Sequence, residues 1–259
     1  MQNKGSRGKH TVKSPFDQFA WFYDQHWGAP FEQWQRRALE QLLYPCVKAG
    51  GRILDLCCGT GTLARHMADL GYRISGVDSS DGMLQLAREK VPAANFVHAD
   101  ARDFKLQEQA DGAVSVFDSL NHLLEPDQLQ RVFHQVYAAL NPGAYFVFDT
   151  NTAAAYGDRW DQTFCEVQPG HAFFLRGGFD RNTRIGRTQI TMFRLTDAAW
   201  ERADVEMRQR PWEISELEPM LGAAGFKEIR GYRASEDLGM SGHYAIGRAY
   251  LRARKPSED

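Results

Sequence analysis

From Arg52 to Asn151 the chain alternates between two periods of apolar and polar positions. RILDL (52–56) is a short run of β-forming apolar residues, TLARHMADLG (62–71) repeats at helical spacing and closes at Gly71, and RISGVD (73–78) returns to strand. The next helix, SDGMLQLAREK (80–90), opens at Ser80 or Asp81, residue types that cap free backbone N–H groups. NFVHAD (95–100) and GAVSVFD (112–118) are the following strands, and AYFVFDTN (144–151) is a fifth. Between them PDQLQRVFHQVYAALNPG (126–143) reads as a helix with Pro126 at its start and Gly143 past its end. Such alternation predicts an α/β fold, a parallel sheet with helices on both faces and ligands beyond the carboxyl ends of its strands.

Two regions frame this core. Upstream, residues 15–45 place Phe31, Trp34, Ala38 and Leu42 at helical spacing, an aromatic cover at the entrance to the fold. Downstream, residues 160–210 exceed what the minimal fold needs: Ala203, Val205 and Met207 alternate with Arg202, Asp204, Glu206 and Arg208, a strand with one wet face. FDRNTRIG and LTDAA read as turns between three such strands. PWEISELEPMLGAAGFKEIRGYRA then gives a helix, a Gly-Phe turn and a strand, and YAIGRAYLRAR a last apolar strand. The expected organisation is a disordered basic tail over 1–14, cover and ligand-binding core over 15–159, antiparallel insert over 160–210, and the rest of the core over 211–259.

Composition narrows the classes. The 259 residues are 43% hydrophobic, enough for a full core, and 31 basic against 33 acidic residues leave a charge of -2, so no global field recruits nucleic acid or an anionic membrane. The first thirteen residues carry Lys4, Arg7, Lys9 and Lys13 without an acid, a solvated arm in this reading. Nothing resembles a signal peptide or a span of about 20 apolar residues, which predicts a cytoplasmic protein. Cys46, Cys57, Cys58 and Cys165 form no CxxC pair, so no metal site is expected.

Every interesting polar residue falls at a strand end. After the first strand, Gly59 and Gly61 let backbone approach a ligand at a helix start, and with Ala64 they satisfy the dinucleotide spacing G-x-G-x-x-A. Asp78, nineteen residues past Gly59, is placed to accept both ribose hydroxyls of an adenosine. A nicotinamide cofactor and S-adenosylmethionine would both use these groups. Asp55, immediately before the turn, would repel a pyrophosphate but suits a sulfonium and an ammonium group. In VHADARDF, Asp100 can take the adenine amino proton while the Ala101 amide faces a ring nitrogen.

ILDLCCGTGTLARHMADLGYRISGVDSSDGMLQLAREK, with VHADARDF, LNPGAYFVFD and LGAAGFKEI, resembles the class I S-adenosylmethionine-dependent methyltransferases over residues 15–254. The resemblance implies a Rossmann-like seven-stranded sheet of order 3214576 with strand 7 antiparallel, helices on both faces and an inserted antiparallel β ribbon. It implies S-adenosyl-L-methionine as cofactor and S-adenosyl-L-homocysteine as product. Gly59 and Gly61 would line the methionine moiety, Asp55 would approach its amino end, and Asp78 would hold the ribose. Ser79 and Met83 would flank the adenosine, Asp100 and Ala101 would take the adenine, and Asp118 would complete the cofactor-binding set. One departure is Cys57, which stands where the family's first glycine belongs.

The acceptor side is read from VFDSLNHL, where Asp118, Ser119, Asn121 and His122 cluster. The Asn/Asp-Pro-Pro-aromatic run of amino-methylating nucleic-acid enzymes is absent, and the stretch is more similar to small-molecule N-methyltransferases, including the sugar-amine type. The expected activity is methyl transfer to a small amine, with His122 as the base and Tyr23 brought over the cofactor from the cover. Asn121, Trp160 and Arg210 are candidate substrate contacts, and Trp160, Phe173, Phe174, Phe193 and Trp200 a candidate aromatic wall. The insert would roof the acceptor or pair two copies as a homodimer. Three alternatives stay open at this level: an RNA or protein methyltransferase, an NAD(P)-dependent oxidoreductase, and a non-catalytic cofactor-binding protein.

Overall fold

A computed structural model describes residues 14–157 and 160–257. The basic arm with Lys4, Arg7, Lys9 and Lys13 lies outside the described residues. Ser14, assigned to that arm by sequence, belongs to the fold: its hydroxyl accepts the Phe16 N–H and caps α1 (Pro15–Tyr23). A π-helical turn, Asp24–Gly28, joins α1 to α2 (Ala29–Leu42).

The core then alternates as its periodicity requires: β1 (Arg52–Leu56), α3 (Thr62–Asp69), β2 (Arg73–Asp78), α4 (Asp81–Lys90), β3 (Asn95–His98), β4 (Ala110–Ser115), α5 (Pro126–Ala139) and β5 (Leu140–Asn151). Ser80 caps α4 by accepting the Met83 N–H at 3.2 Å. Several boundaries move. Helix α5 stops at Ala139 rather than at the Pro-Gly pair, because Leu140 already pairs with Ala110 of β4. Strand β4 stops at Ser115, since Phe117 and Asp118 turn into left-handed backbone at φ 66° and 50°.

After β5 come β6 (Thr163–Gln168), β7 (His171–Asp180), β8 (Ile185–Leu195), β9 (Trp200–Gln209), α6 (Ile214–Ala223), β10 (Lys227–Arg233) and β11 (Arg248–Arg254). The main sheet has seven strands in the order β10-β11-β5-β4-β1-β2-β3, with β11 antiparallel to both neighbours. Counted within that sheet alone, this is the 3214576 arrangement. The insert is a second, antiparallel sheet of four strands, one more than the pattern suggested. The extra strand, β6, is an edge whose apolar Phe164 and Val167 point to opposite faces, so it carries no alternation to read.

Packing follows the layers. α5 and α6 bury Leu129, Phe133 and Leu217 against Phe146 and Phe148 on one face, and α2 and α3 bury Leu39, Leu42 and Met67 against Ile53 and Val114 on the other. A third cluster joins Phe19 and Phe22 of α1 to Phe173, Ile190 and Val205 of the second sheet. Among the described residues no helix is long and apolar enough to cross a membrane.

Candidate active site

The carboxyl ends of β1, β2 and β4 open into one cavity of about 830 Å³, covered by α1, the π-helical turn and the second sheet. The turn after β1 is built by backbone conformation. Cys57, Gly59 and Gly61 all adopt positive φ, at 59°, 52° and 74°. Glycine takes that region without cost, whereas a residue with a Cβ is strained there. Cys57 therefore keeps the turn under strain. Burial raises the thiols of Cys57 and Cys58, which makes both poor nucleophiles.

Gly59 faces the cavity, where a Cβ would meet the Tyr23 ring at 3.8 Å. Gly61 does not line the cavity and corrects the expectation for it: a Cβ there would sit 2.9 Å from Ala87 of α4, so this glycine permits helix packing. Asp78 organises the loop, its Oδ2 accepting the Gly59 N–H and its Oδ1 the Ser80 N–H, both at 2.9 Å. A carboxylate has lone pairs beyond these two, so Asp78 can still receive hydroxyl donors from the cavity it lines.

Asp55 is 2% exposed, and its Oδ2 has no hydrogen-bond partner among the described residues. Burial, with Asp78 adding to it, pushes this carboxyl up to about 8. A buried carboxyl without a partner, lining a cavity, is the complement of a ligand cation. At the other end Asp100 and Ala101 line the same space with Ser79 and Met83. Asp100 stays ionised because Arg102 donates to it from its backbone at 2.8 Å and from its guanidinium at 2.8 and 2.5 Å, holding the carboxyl below its usual range.

Beyond β4 the strained turn delivers Asp118 and His122 to the cavity. His122 Nδ1 donates to the Arg208 carbonyl at 2.9 Å, which leaves its Nε2 unprotonated and accepting from the Gln209 amide at 3.2 Å. Burial lowers the basicity of His122 against the opposing pull of Asp118, so the ring is neutral near pH 7. Gln209 also donates to Asp118 Oδ2 at 2.5 Å and accepts the Tyr156 hydroxyl at 3.0 Å. The other Asp118 oxygen receives Arg248 at 2.8 Å, and Arg248 pairs with buried Asp149, which in turn accepts from Gln35 at 3.0 Å. Tyr23 lies over the glycine turn, its phenol pushed upward by burial and by Asp118, Asp55 and Asp78.

Two expected substrate contacts are not in the cavity. Asn121 is fully buried: its amide donates to the Asn151 and Arg210 carbonyls at 2.9 and 2.7 Å, and its oxygen accepts the Asn151 N–H at 2.9 Å. It is a clamp between β5 and the end of β9. Arg210 stacks on Trp212 at 3.9 Å and reaches the Leu124 carbonyl and Glu216, each at 3.2 Å. The aromatic wall is also redrawn. Trp160 and Phe173 line the cavity, but Phe174, Phe193 and Trp200 occupy the opposite face of the second sheet by strand alternation. Phe164 and Trp27 take their places.

Gln209, Arg248 and Asp149 escaped sequence reasoning, yet each leaves a trace. Gln209 continues the inward register Ala203, Val205, Met207 with a polar residue, and Asp149 and Arg248 are single charges beside apolar strand runs.

Residues 53–143 match a family model described as a methyltransferase domain. The chain is 29% identical over 217 residues to the YqeM protein of Bacillus subtilis (strain 168), covering 81% of this chain and 85% of that one. It is 33% identical over 97 residues to the dTDP-3-amino-3,6-dideoxy-alpha-D-glucopyranose N,N-dimethyltransferase of Streptomyces fradiae, covering 38% of each. The sugar N-methyltransferase KedS8 from Streptoalloteichus sp. ATCC 53650 shares the fold at a TM-score of 0.77 and 18% identity, over 99% of both chains. Residues 53–143 form a methyltransferase domain, and with the sheet order and the glycine turn in agreement the protein is an S-adenosylmethionine-dependent methyltransferase.

Proposed function

We propose that the protein methylates an amine of a small-molecule acceptor by in-line displacement. The observation that carries this reading is His122, whose backbone-fixed tautomer turns an unprotonated Nε2 toward the cavity beside Asp118 and Gln209. S-adenosylmethionine supplies, when bound, a methyl group on a cationic sulfur already activated for displacement. Asp55 receives its ammonium end, the Gly59 turn its methionine chain, Asp78 its ribose, and Asp100 with the Ala101 amide its adenine. Ser79 and Met83 close on the adenosine, and Tyr23 covers it from α1.

On the acceptor side, alignment of nucleophile and methyl carbon contributes about 7–11 kcal/mol where the fit is good, so holding the amine is the main task. An amine that arrives protonated must lose its proton before its lone pair can attack. His122 Nε2 takes that proton as the Gln209 amide gives way to it, while the Arg208 carbonyl steadies the opposite edge of the ring. Asp118, fixed by Arg248 and Gln209, stabilises the imidazolium that results.

The test is turnover of S-adenosylmethionine against a panel of small amines and matched alcohols, repeated with His122→Gln. The variant is expected to bind S-adenosylhomocysteine as the parent does and to lose roughly 10²–10⁴-fold in kcat, with the loss shrinking at high pH where the amine is already free. Turnover of alcohols alone, or an unchanged kcat in the variant, would overturn the assignment.

A further inference from the structure

The inner face of the second sheet changes character along its strands. One cross-strand row, Phe164–Leu175–Ile190–Val205, is wholly apolar. Four residues along β9, the same face ends at Gln209, which touches His122. At about 3.4 Å per residue, that places the apolar row roughly 13 Å from the reacting end. Phe164, Leu175, Ile190 and Met207 line the cavity, and Phe164 keeps 53% of its surface exposed. Ile190 and Val205 are packed into the third cluster, whereas Phe164, Leu175 and Met207 remain partly open in the cavity and offer apolar surface to a ligand.

Beside this face sits Trp160, and the sheet is built to seat it. A Cβ at Gly177 would come within 1.8 Å of the Trp160 carbonyl oxygen, and one at Gly186 within 2.8 Å of Tyr156 and 3.3 Å of the Trp160 ring. The two rings pack with centroids 4.4 Å apart. Trp160 Nε1–H is buried with no hydrogen-bond partner among the described residues. A buried donor of this kind is satisfied by an oxygen brought in by a ligand.

We propose that the acceptor is an amphiphilic amine whose apolar, ring-sized body lies under the second sheet, with one oxygen placed against Trp160 Nε1–H. This rests on the methyltransferase reading above and adds the chemical class of the acceptor. The amine reaches His122, the body spans the distance to the Phe164 row, and the Trp160 donor sets the orientation of the body.

The full chain saturated with S-adenosylhomocysteine is titrated calorimetrically at pH 8 with propylamine, pentylamine, heptylamine, 4-phenylbutylamine and D-glucosamine. Each added methylene is expected to tighten binding about fourfold, leaving glucosamine at least tenfold weaker than heptylamine. Phe164 stands on an exposed edge strand, so Phe164→Ala is expected to fold. It should weaken the two longest amines about tenfold and leave propylamine and S-adenosylhomocysteine unchanged. Trp160→Phe should weaken 4-(4-methoxyphenyl)butylamine about tenfold and 4-phenylbutylamine hardly at all. A flat series, tighter binding of glucosamine, or no response to Phe164→Ala would overturn the inference while S-adenosylhomocysteine still binds. Failure of the parent chain to bind S-adenosylhomocysteine would instead remove the methyltransferase reading and this inference with it.

Discussion

Cofactor binding should expel a proton from Asp55. The carboxyl is buried, has no partner for Oδ2 among the described residues, and is pushed up to about 8 by burial and then by Asp78. At pH 7, one unit lower, about nine-tenths of the free protein holds that proton. An ammonium group against Oδ2 favours the ionised form and should drop the carboxyl well below 7. Binding at pH 7 then releases about 0.9 proton. Affinity should strengthen close to tenfold per pH unit below 8, about fiftyfold from pH 6 to pH 8, and level off above.

The assay is calorimetric titration with S-adenosylhomocysteine in phosphate, HEPES and Tris, whose differing ionisation enthalpies report the proton count. Asp55→Asn should release none, and neither should the parent protein with 5′-methylthioadenosine, which lacks the ammonium. Stability moves in the opposite sense. Because the folded value lies above the unfolded one, the contribution of Asp55 is fully present below about 3.9 and is lost as pH rises through about 8. The Asp55→Asn protein should therefore gain on its parent between pH 5 and pH 9. Heats that do not vary with buffer at pH 7 would refute the reasoning, because an Asp55 already ionised has no proton to give.

Three further predictions concern the scaffold of the site. Asn121→Ala should cost about 2–3 kcal/mol in urea unfolding by stripping partners from the Asn151 and Arg210 backbone, with KM for the acceptor little changed; a large KM effect at parental stability would restore it as a substrate contact. Arg248→Met leaves Asp149 and Asp118 facing each other without their cation and should cost about 3–5 kcal/mol at pH 8 and less at pH 5, where protonation of Asp149, whose carboxyl is raised by burial, relieves the pair; an equal loss at both values would speak against the ion network. Cys57→Gly exchanges left-handed strain of about 1–2 kcal/mol for glycine's entropy of about 0.5–1 kcal/mol, so the urea midpoint should rise slightly at constant slope; a lower midpoint would show that the thiol's packing outweighs the strain.

Much of the core was legible because its signals are local. The periods of RILDL, TLARHMADLG and RISGVD are set within each segment, and strand β2 ends at Asp78 as its residues indicate. Asp55, Gly59 and Asp78 could be placed at the cavity because a strand followed by a glycine turn and a helix fixes where its polar ends point. Gly61 could not be separated from Gly59 on the same grounds. Its neighbour is Ala87 on another helix, and no spacing within the loop shows which glycine meets helix and which meets the cavity.

The sequence by itself determined the order of elements, the strand-end position of the acidic groups and the absence of a strong net charge, all properties of contiguous residues or simple sums. Tertiary structure decided what faces what. His122 owes its tautomer to a carbonyl 86 residues away, and Asp118 owes its orientation to an arginine 130 residues away. The faces of the insert were settled the same way, Phe173 turning inward and Phe174 outward, because alternation says only that neighbours differ and burial against α1 says which one is inside.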